Sequence, residues 1–234
     1  MEKVSERRFQ FNNNKSKDFF DPERCKRPIH IIGTGAVGGF LVEGLVRAGV
    51  TNLHIWDDDV VSPHNPANQI YTPDMVGVPK VAALIEIAKK INPDAVVKAH
   101  PIRVTTETRL NGYIFLCVDN IDTRRELCKA WRNNPNIIWV CDGRMRLTDF
   151  NVHAALWSND KEINNLIRSM EYSHEEAVEQ TPVTACGLSV SIIYAPVTLA
   201  MQMMANFVKF LNTGRYARTI ITDLETFNSE AWII

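Results

Sequence analysis

Up to Lys26 the chain is polar, with Asn12, Asn13 and Asn14 in a row, and it reads as an arm or short helix outside the core. From Pro28 the pattern changes. Ile29-His30-Ile31-Ile32 is an apolar run of strand length that stops at Gly33-Thr34-Gly35-Ala36-Val37-Gly38-Gly39. Val37, Leu41, Leu45 and Val46 then fall on one face of a helix that ends near Gly49. A second apolar run, Leu53 to Trp56, stops at three consecutive aspartates. Strand, helix, strand in that order is the parallel βαβ unit.

After a loop rich in Pro and Asn, Val81, Leu84, Ile85 and Ala88 repeat at helical spacing over Pro79 to Ile91, and Asn92-Pro93 closes the segment. Strands are expected at Ala95 to Ile102, Tyr113 to Val118 and Ile137 to Cys141, with a helix from about Thr123 to Trp131 between the last two. Beyond Asp142 the period becomes alternation, in Phe150, Val152, Ala154 and Leu156 and again over Thr219 to Leu224. The expected fold is therefore α/β: a Rossmann-like, doubly wound, mostly parallel sheet extended by antiparallel C-terminal strands. Residues 1–27 form its arm and residues 28–234 one domain. A helix from Pro196 to Asn212 is apolar nearly all round, which requires burial on both sides and suggests a homodimer interface.

Composition narrows the function. Lys and Arg number 26 against 27 acidic residues, a net charge of -1, without the cationic excess that drives nucleic-acid binding. Five cysteines, an odd number with no C-x-x-C pair, suit neither a secreted disulfide framework nor a structural zinc site, and fit the reducing cytoplasm. The N-terminus lacks the apolar core of a signal peptide. The uncharged stretch from Gln180 to Val208 is broken by Pro196, Gln202 and Asn206, so a buried helix is expected there rather than a membrane span.

Gly33, Gly35 and Gly38 match the G-x-G-x-x-G fingerprint between a strand and a helix. The first glycine allows the tight turn, the second lets backbone approach phosphate, and the third lets helix pack on strand. Asp57, at the end of the second strand, stands where an acidic residue binds ribose hydroxyls. These residues alone do not distinguish a dinucleotide from ATP.

The following motifs do. The chain continues Asp57-Asp58-Asp59, then Asn65-Pro66-Ala67-Asn68-Gln69, then Gly77-Val78-Pro79-Lys80, and later Asp119-Asn120-Ile121-Asp122-Thr123-Arg124. Together, and with Cys186-Gly187 before the long apolar helix, they resemble the ThiF/MoeB-type adenylyltransferases, which activate ubiquitin-like and sulfur-carrier proteins. The resemblance runs from Ile29 to the C-terminus. It implies that residues 28–234 are an ATP-binding adenylation domain, in which the C-terminal carboxylate of a small carrier protein ending in glycine attacks the α-phosphate of ATP. Both reactants are anionic, so such a site supplies positive charge and positioning more than acid-base chemistry. By the resemblance Lys80 holds the phosphates, Asp119 binds Mg²⁺ with Asn120 beside it, Asp57 takes the ribose, Asn65 sits beside the phosphates and Gln69 holds the loop. Asp59 is divided between ligand binding and loop structure, and Arg124 reads as structural.

The chain departs from the family at three points. The arginine of N-x-x-R-Q is replaced by Asn68, which removes a charge and a bidentate donor. Arg7, Arg8, Arg103, Arg144 and Arg146 are candidates to replace it. The zinc ribbon is missing. About forty residues separate Asp142 from Cys186, too few for a separate cysteine domain. If a thioester forms, Cys186 is the positional candidate, although a free cysteine without a local charge to lower its pKa is commonly a small buried hydrophobe. The rival readings are an adenylating enzyme acting on a peptide or tRNA, a catalytically weak or inactive nucleotide- or partner-binding subunit, and an NAD-dependent oxidoreductase.

Overall fold

A computed structural model describes residues 11–179 and 191–233. The arm contributes one turn of helix, α1 (Asn14–Lys17). Strand β1 (Ile29–Ile32) is buried at all four positions because it lies inside the sheet. Helix α2 (Ala36–Arg47) follows directly, and the fingerprint glycines explain the tight connection. A Cβ on Gly38 would stand 1.9 Å from the Gly33 carbonyl oxygen. Next come β2 (Leu53–Trp56), α3 (Lys80–Ile91), β3 (Val97–His100), β4 (Gly112–Leu116), α4 (Ile121–Trp131) and β5 (Ile137–Arg146). The chain then turns back through β6 (Asp149–Leu156), α5 (Asp160–Arg168), α6 (His174–Glu179), α7 (Tyr194–Thr213), β7 (Ala217–Asp223) and β8 (Asn228–Ile233).

The strands form one eight-stranded sheet in the order β3-β2-β1-β4-β5-β6-β7-β8. Pairings through β5 are parallel, and those from β5 to β8 antiparallel. One core, around Leu41, Leu45, Leu84, Phe115, Trp139 and Phe207, lies under α2, α3 and α7. The other, around Leu116, Leu127, Trp131, Val140 and Leu166, lies under α4 and α5. The crossover from β3 to β4 carries no helix, so over β1, β2 and β3 that second face has less cover.

The expected order of elements holds, with local corrections. β3 is shorter than Ala95 to Ile102 because the Ala95 N–H closes a turn onto Asn92 and Pro101 cannot donate to a ladder. β5 runs to Arg146 rather than stopping at Cys141, so Arg144 and Arg146 lie within it and pair with Asn151 and Asp149 of β6. α7 buries Leu199, Met203 and Phe207 but leaves Met201 exposed within this single chain, so it is not covered all round. Gly44 and Gly143 let it approach, since a Cβ at either would collide with the sulfur or methyl ends of Met201, Met204 or Met203. Among the described residues no helix is long and apolar enough to cross a membrane.

Candidate functional site

β1 ends at Gly33, whose φ of +88° is in the left-handed region, and a Cβ there would come within 2.8 Å of the Cys117 backbone. The turn is fixed from β2. The Thr34 N–H donates to Asp57 Oδ2 at 2.6 Å and the Thr34 hydroxyl to the same oxygen at 3.0 Å. Tyr71 donates its hydroxyl to the Thr34 carbonyl at 2.7 Å. Asp57 Oδ1 accepts from the Asp59 N–H at 2.9 Å, so this carboxylate organises both loops that flank it. Gly35, the N-cap of α2, has no atom near where a Cβ would be, and the open space in front of it faces a cavity. A helix N-terminus opening on such a space offers unpaired N–H donors to an anion.

Lys80 begins α3 with its side chain only 9% exposed, and Nζ lies 2.8 Å from Asp59 Oδ2. Its backbone N–H donates to the Asp59 carbonyl at 2.9 Å. It is therefore not a solvated helix-start lysine. Asp59, being 60% exposed at its side chain, is the more solvated partner, so the pair is weakly held and Lys80 is available to another anion. Asn65 has a structural part in its loop. It is buried, its Oδ1 accepts from the Ser62 N–H at 2.8 Å, and its carbonyl accepts from Gln69 at 2.8 Å and Asn68 at 3.1 Å. Asn65 thus builds the turn, while His64, Asn68 and Gln69 line the cavity.

Asp119 and Asn120 follow β4 and also line the cavity. Asn120 caps α4, its Oδ1 accepting from the Thr123 N–H at 2.9 Å. Arg124 is the structural residue expected: it is buried, pairs with Asp142, and donates to the carbonyls of Val118 and Leu116, and to that of Gly143 at 2.9 Å. Asp142 is fully buried between two guanidiniums, because Arg144 also donates to its Oδ2 at 2.5 Å. Burial raises the Asp142 carboxyl, but the charges of Arg124 and Arg144 outweigh it and hold the group below the usual carboxylate value. Arg144 reaches on to Ser169, with contacts of 2.7 Å to its carbonyl and 2.9 Å to its hydroxyl. Being fully engaged, it is not a ready substitute for the arginine missing at Asn68. Arg103, paired at 3.4 Å with Asp58, and Arg146 both line the cavity with more exposed side chains. Arg7, Arg8 and Cys186 lie outside the described residues.

These motifs, far apart in sequence, surround one cavity of about 710 Å³ at the C-terminal edge of the parallel strands, within the range of small-molecule sites. Its lining combines an apolar part, Ile32, Trp56, Val104 and Leu127, which belong to one core cluster, with a polar part that includes Gly33, Gly35, Asp59 and Lys80. Side-chain oxygens of Asp57, Asp58 and Asp59 lie within 4.8 Å of one another. The amide oxygens of Asn68 and Gln69 are buried without a hydrogen-bond partner, so the loop carries polar capacity that the protein itself does not use. Burial pushes the Cys25 and Cys117 thiols up to about 12, and Cys128 and Cys141 also upward, so none of the four is a ready nucleophile at neutral pH.

The sequence model of the ThiF family matches residues 25–229. The chain belongs to the ThiF family. Curated relatives include ubiquitin-like modifier-activating enzyme 5 of Drosophila melanogaster, 29% identical over 141 residues, which are 53% of this chain and 35% of that protein. The same enzyme of Caenorhabditis elegans is 27% identical over 134 residues, 50% of this chain and 32% of the relative. This ThiF-family chain therefore aligns with about a third of the length of these relatives. Among solved structures, E. coli MccB with MccA superposes with a TM-score of 0.71 at 13% identity, covering 90% of this chain and 64% of that one. E. coli tRNA N6-threonylcarbamoyladenosine dehydratase, TcdA, gives 0.59 at 17%, covering 86% and 90%. At such identities these matches establish the fold.

Proposed function

We propose that this chain binds ATP and adenylates the C-terminal carboxylate of a small ubiquitin-like or sulfur-carrier protein, releasing pyrophosphate. The observation that carries the reading is the convergence of four motifs on one cavity: the Gly33-Gly35 turn, Asp57, Lys80, and Asp119 with Asn120. In this reading the base occupies the apolar part and Asp57 accepts from the ribose hydroxyls. The α2 N-terminus and Lys80 meet the triphosphate, Lys80 exchanging Asp59 for phosphate oxygens. One carrier carboxylate oxygen forms a bond to the α-phosphorus as the bond to the bridging oxygen breaks, and pyrophosphate leaves with that electron pair.

The donors present also suit Mg²⁺, which is an oxygen-preferring ion. Asp119 is the expected ligand, and the carboxylates of Asp57, Asp58 and Asp59 form a separate oxygen cluster close enough together to hold a cation. When bound it supplies charge neutralisation for the leaving pyrophosphate. The family and the ubiquitin-like modifier-activating relatives support an adenylating enzyme, and MccB, solved with MccA, is a neighbour by fold. A homodimer and a cytoplasmic location belong to the same proposal.

ATP–pyrophosphate exchange tests it. Exchange that depends on a purified carrier ending in Gly-Gly, and that falls about a hundredfold or more in K80A, is expected. Exchange supported only by a peptide or a tRNA overturns the carrier assignment, and no exchange together with no ATP binding overturns the function.

A further inference from the structure

Three histidines and a tryptophan occupy one face of β1, β2 and β3, on the side where the crossover to β4 has no helix. Parallel sheets normally cover both faces, yet the loop of residues 101–111 offers only Val104 and Leu110 as buried apolar groups. In place of a helix there is a side-chain assembly. Trp56 Nε1 donates to His30 Nδ1 at 3.1 Å, both residues being buried. His100 stacks on Trp56 with ring centroids 3.7 Å apart and planes at 8°. His54 Nδ1 and His100 Nε2 are 3.1 Å apart and share a hydrogen bond. The indole is thus held at its N–H by one strand and on its ring by another.

Burying an imidazole is costly unless its polar atoms are used. His30 is 4% exposed: its Nδ1 fixes the orientation of Trp56, while its Nε2 is buried without a hydrogen-bond partner. Burial, with the neighbouring His54 charge, moves His30 down to about 4, so it is neutral at physiological pH and its Nδ1 remains an acceptor. Trp56 in turn lines the cavity, as do Ile32 and Val104 of the same core cluster. Because its only polar hydrogen is spent on His30, the indole meets a ligand through carbon alone.

We propose that Trp56 is the base-contacting wall of the nucleotide site, and that His30 and His100 are positioning residues that fix its indole. This part of the cavity then selects a nucleotide by the apolar area of its base, preferring a purine to a pyrimidine, rather than by reading the base edge. The proposal rests on the nucleotide-binding part of the function above. Aromatic contact with a base is worth more for a two-ring than a one-ring surface, and a pinned aromatic pays less ordering entropy on binding.

Calorimetric binding of two non-hydrolysable triphosphates, the α,β-methylene analogues of ATP and CTP, tests it without a carrier. The wild type is expected to bind the ATP analogue about tenfold or more tighter than the CTP analogue. W56A should lose about tenfold for the ATP analogue and little for the CTP analogue, while W56F keeps most of the preference. H30A should weaken the ATP analogue by several-fold and shift the tryptophan emission relative to a W56F reference, and H30N, which keeps an acceptor near the Nδ1 position, should restore both. K80A, acting on the triphosphate, should weaken both analogues alike. Equal affinity of the wild type for the two analogues, or W56A binding both as the wild type does, overturns the proposal. If the analogue binds with the expected pattern but no exchange occurs with any carrier, the adenylation reading fails and the base wall stands. If neither analogue binds, both fail.

Discussion

At the scale of single residues, the glycines of the fingerprint separate fold from function. A Cβ on Gly38 would meet the Gly33 carbonyl at 1.9 Å, whereas a Cβ on Gly35 would meet nothing within 4 Å. Gly35 has a negative φ of -69°, outside the left-handed region, and open space where a side chain would begin. G38A should therefore lower the thermal midpoint sharply or abolish folding. G35A should fold with a midpoint near that of the wild type and yet lose about tenfold or more in ATP affinity, because the added methyl occupies the space a phosphate needs. Equal loss of stability in the two variants would remove the distinction. Asn68 gives a second single-residue prediction. It lines the cavity with a buried amide oxygen that has no partner, at the position where the N-x-x-R-Q motif that the chain resembles has an arginine. N68R should raise carrier-dependent pyrophosphate exchange by about tenfold, since a guanidinium adds a charge-assisted, bidentate contact to phosphate. An unchanged rate would mean that another cation, Arg103 or Arg146 among the described residues, already serves the site.

At the scale of elements, the Arg124–Asp142–Arg144 network ties α4, β5 and the end of α5 together beneath the cavity. Removing one partner of a buried ion pair leaves the other charge unpaired, at a cost of about 3–5 kcal/mol. D142L, which leaves both buried guanidiniums without their shared carboxylate, should show a loss of that order by urea unfolding. R124A leaves Asp142 paired with Arg144 and should lose less. The same network explains which parts of the molecule were legible in the sequence. β1, α2, β2 and α3 follow clean hydrophobic periods, and the Gly33 turn, Asp57, Lys80 and Asp119 fall at their ends, so motif and period agree. Beyond Cys141 they diverge. Asp142 and Arg144 are polar letters inside a strand, one buried and the other largely so because they neutralise each other, and this made β5 look shorter than it is. β8 is exposed at every position and has no apolar period to read. The His30–Trp56–His100 assembly was equally hidden, since it forms only when three separate strands lie side by side. The turn-building part of Asn65 was also hidden: the motif fixes its position in the loop but not which way its side chain is used.

At the scale of the whole molecule, buried histidines govern the response to acid. His30 is lowered to about 4 by burial and by the neighbouring His54 charge, and His153 to about 4 by burial and then by the Arg144 charge. His54 and His100 are lowered as well, burial being the first cause in each. In the unfolded chain all four titrate near the ordinary histidine value of ~6.5. Between about pH 6.5 and 4 the unfolded chain therefore takes up protons that the native state refuses, and stability falls as pH falls across that window. For His30 the difference is of order 3 kcal/mol, a substantial part of the roughly 5–15 kcal/mol that holds a typical domain together. Asp142 works in a different window. Its folded pKa is below the usual carboxylate value, so its contribution is intact above about pH 4 and is lost only as pH falls through the depressed folded value. Urea midpoints measured from pH 7.5 to 4.5 should accordingly decline steadily, and H153Q should flatten the slope while leaving Asp142 paired. A midpoint that stays level to pH 4.5 and then collapses would assign acid sensitivity to the carboxylates and remove the histidines from it.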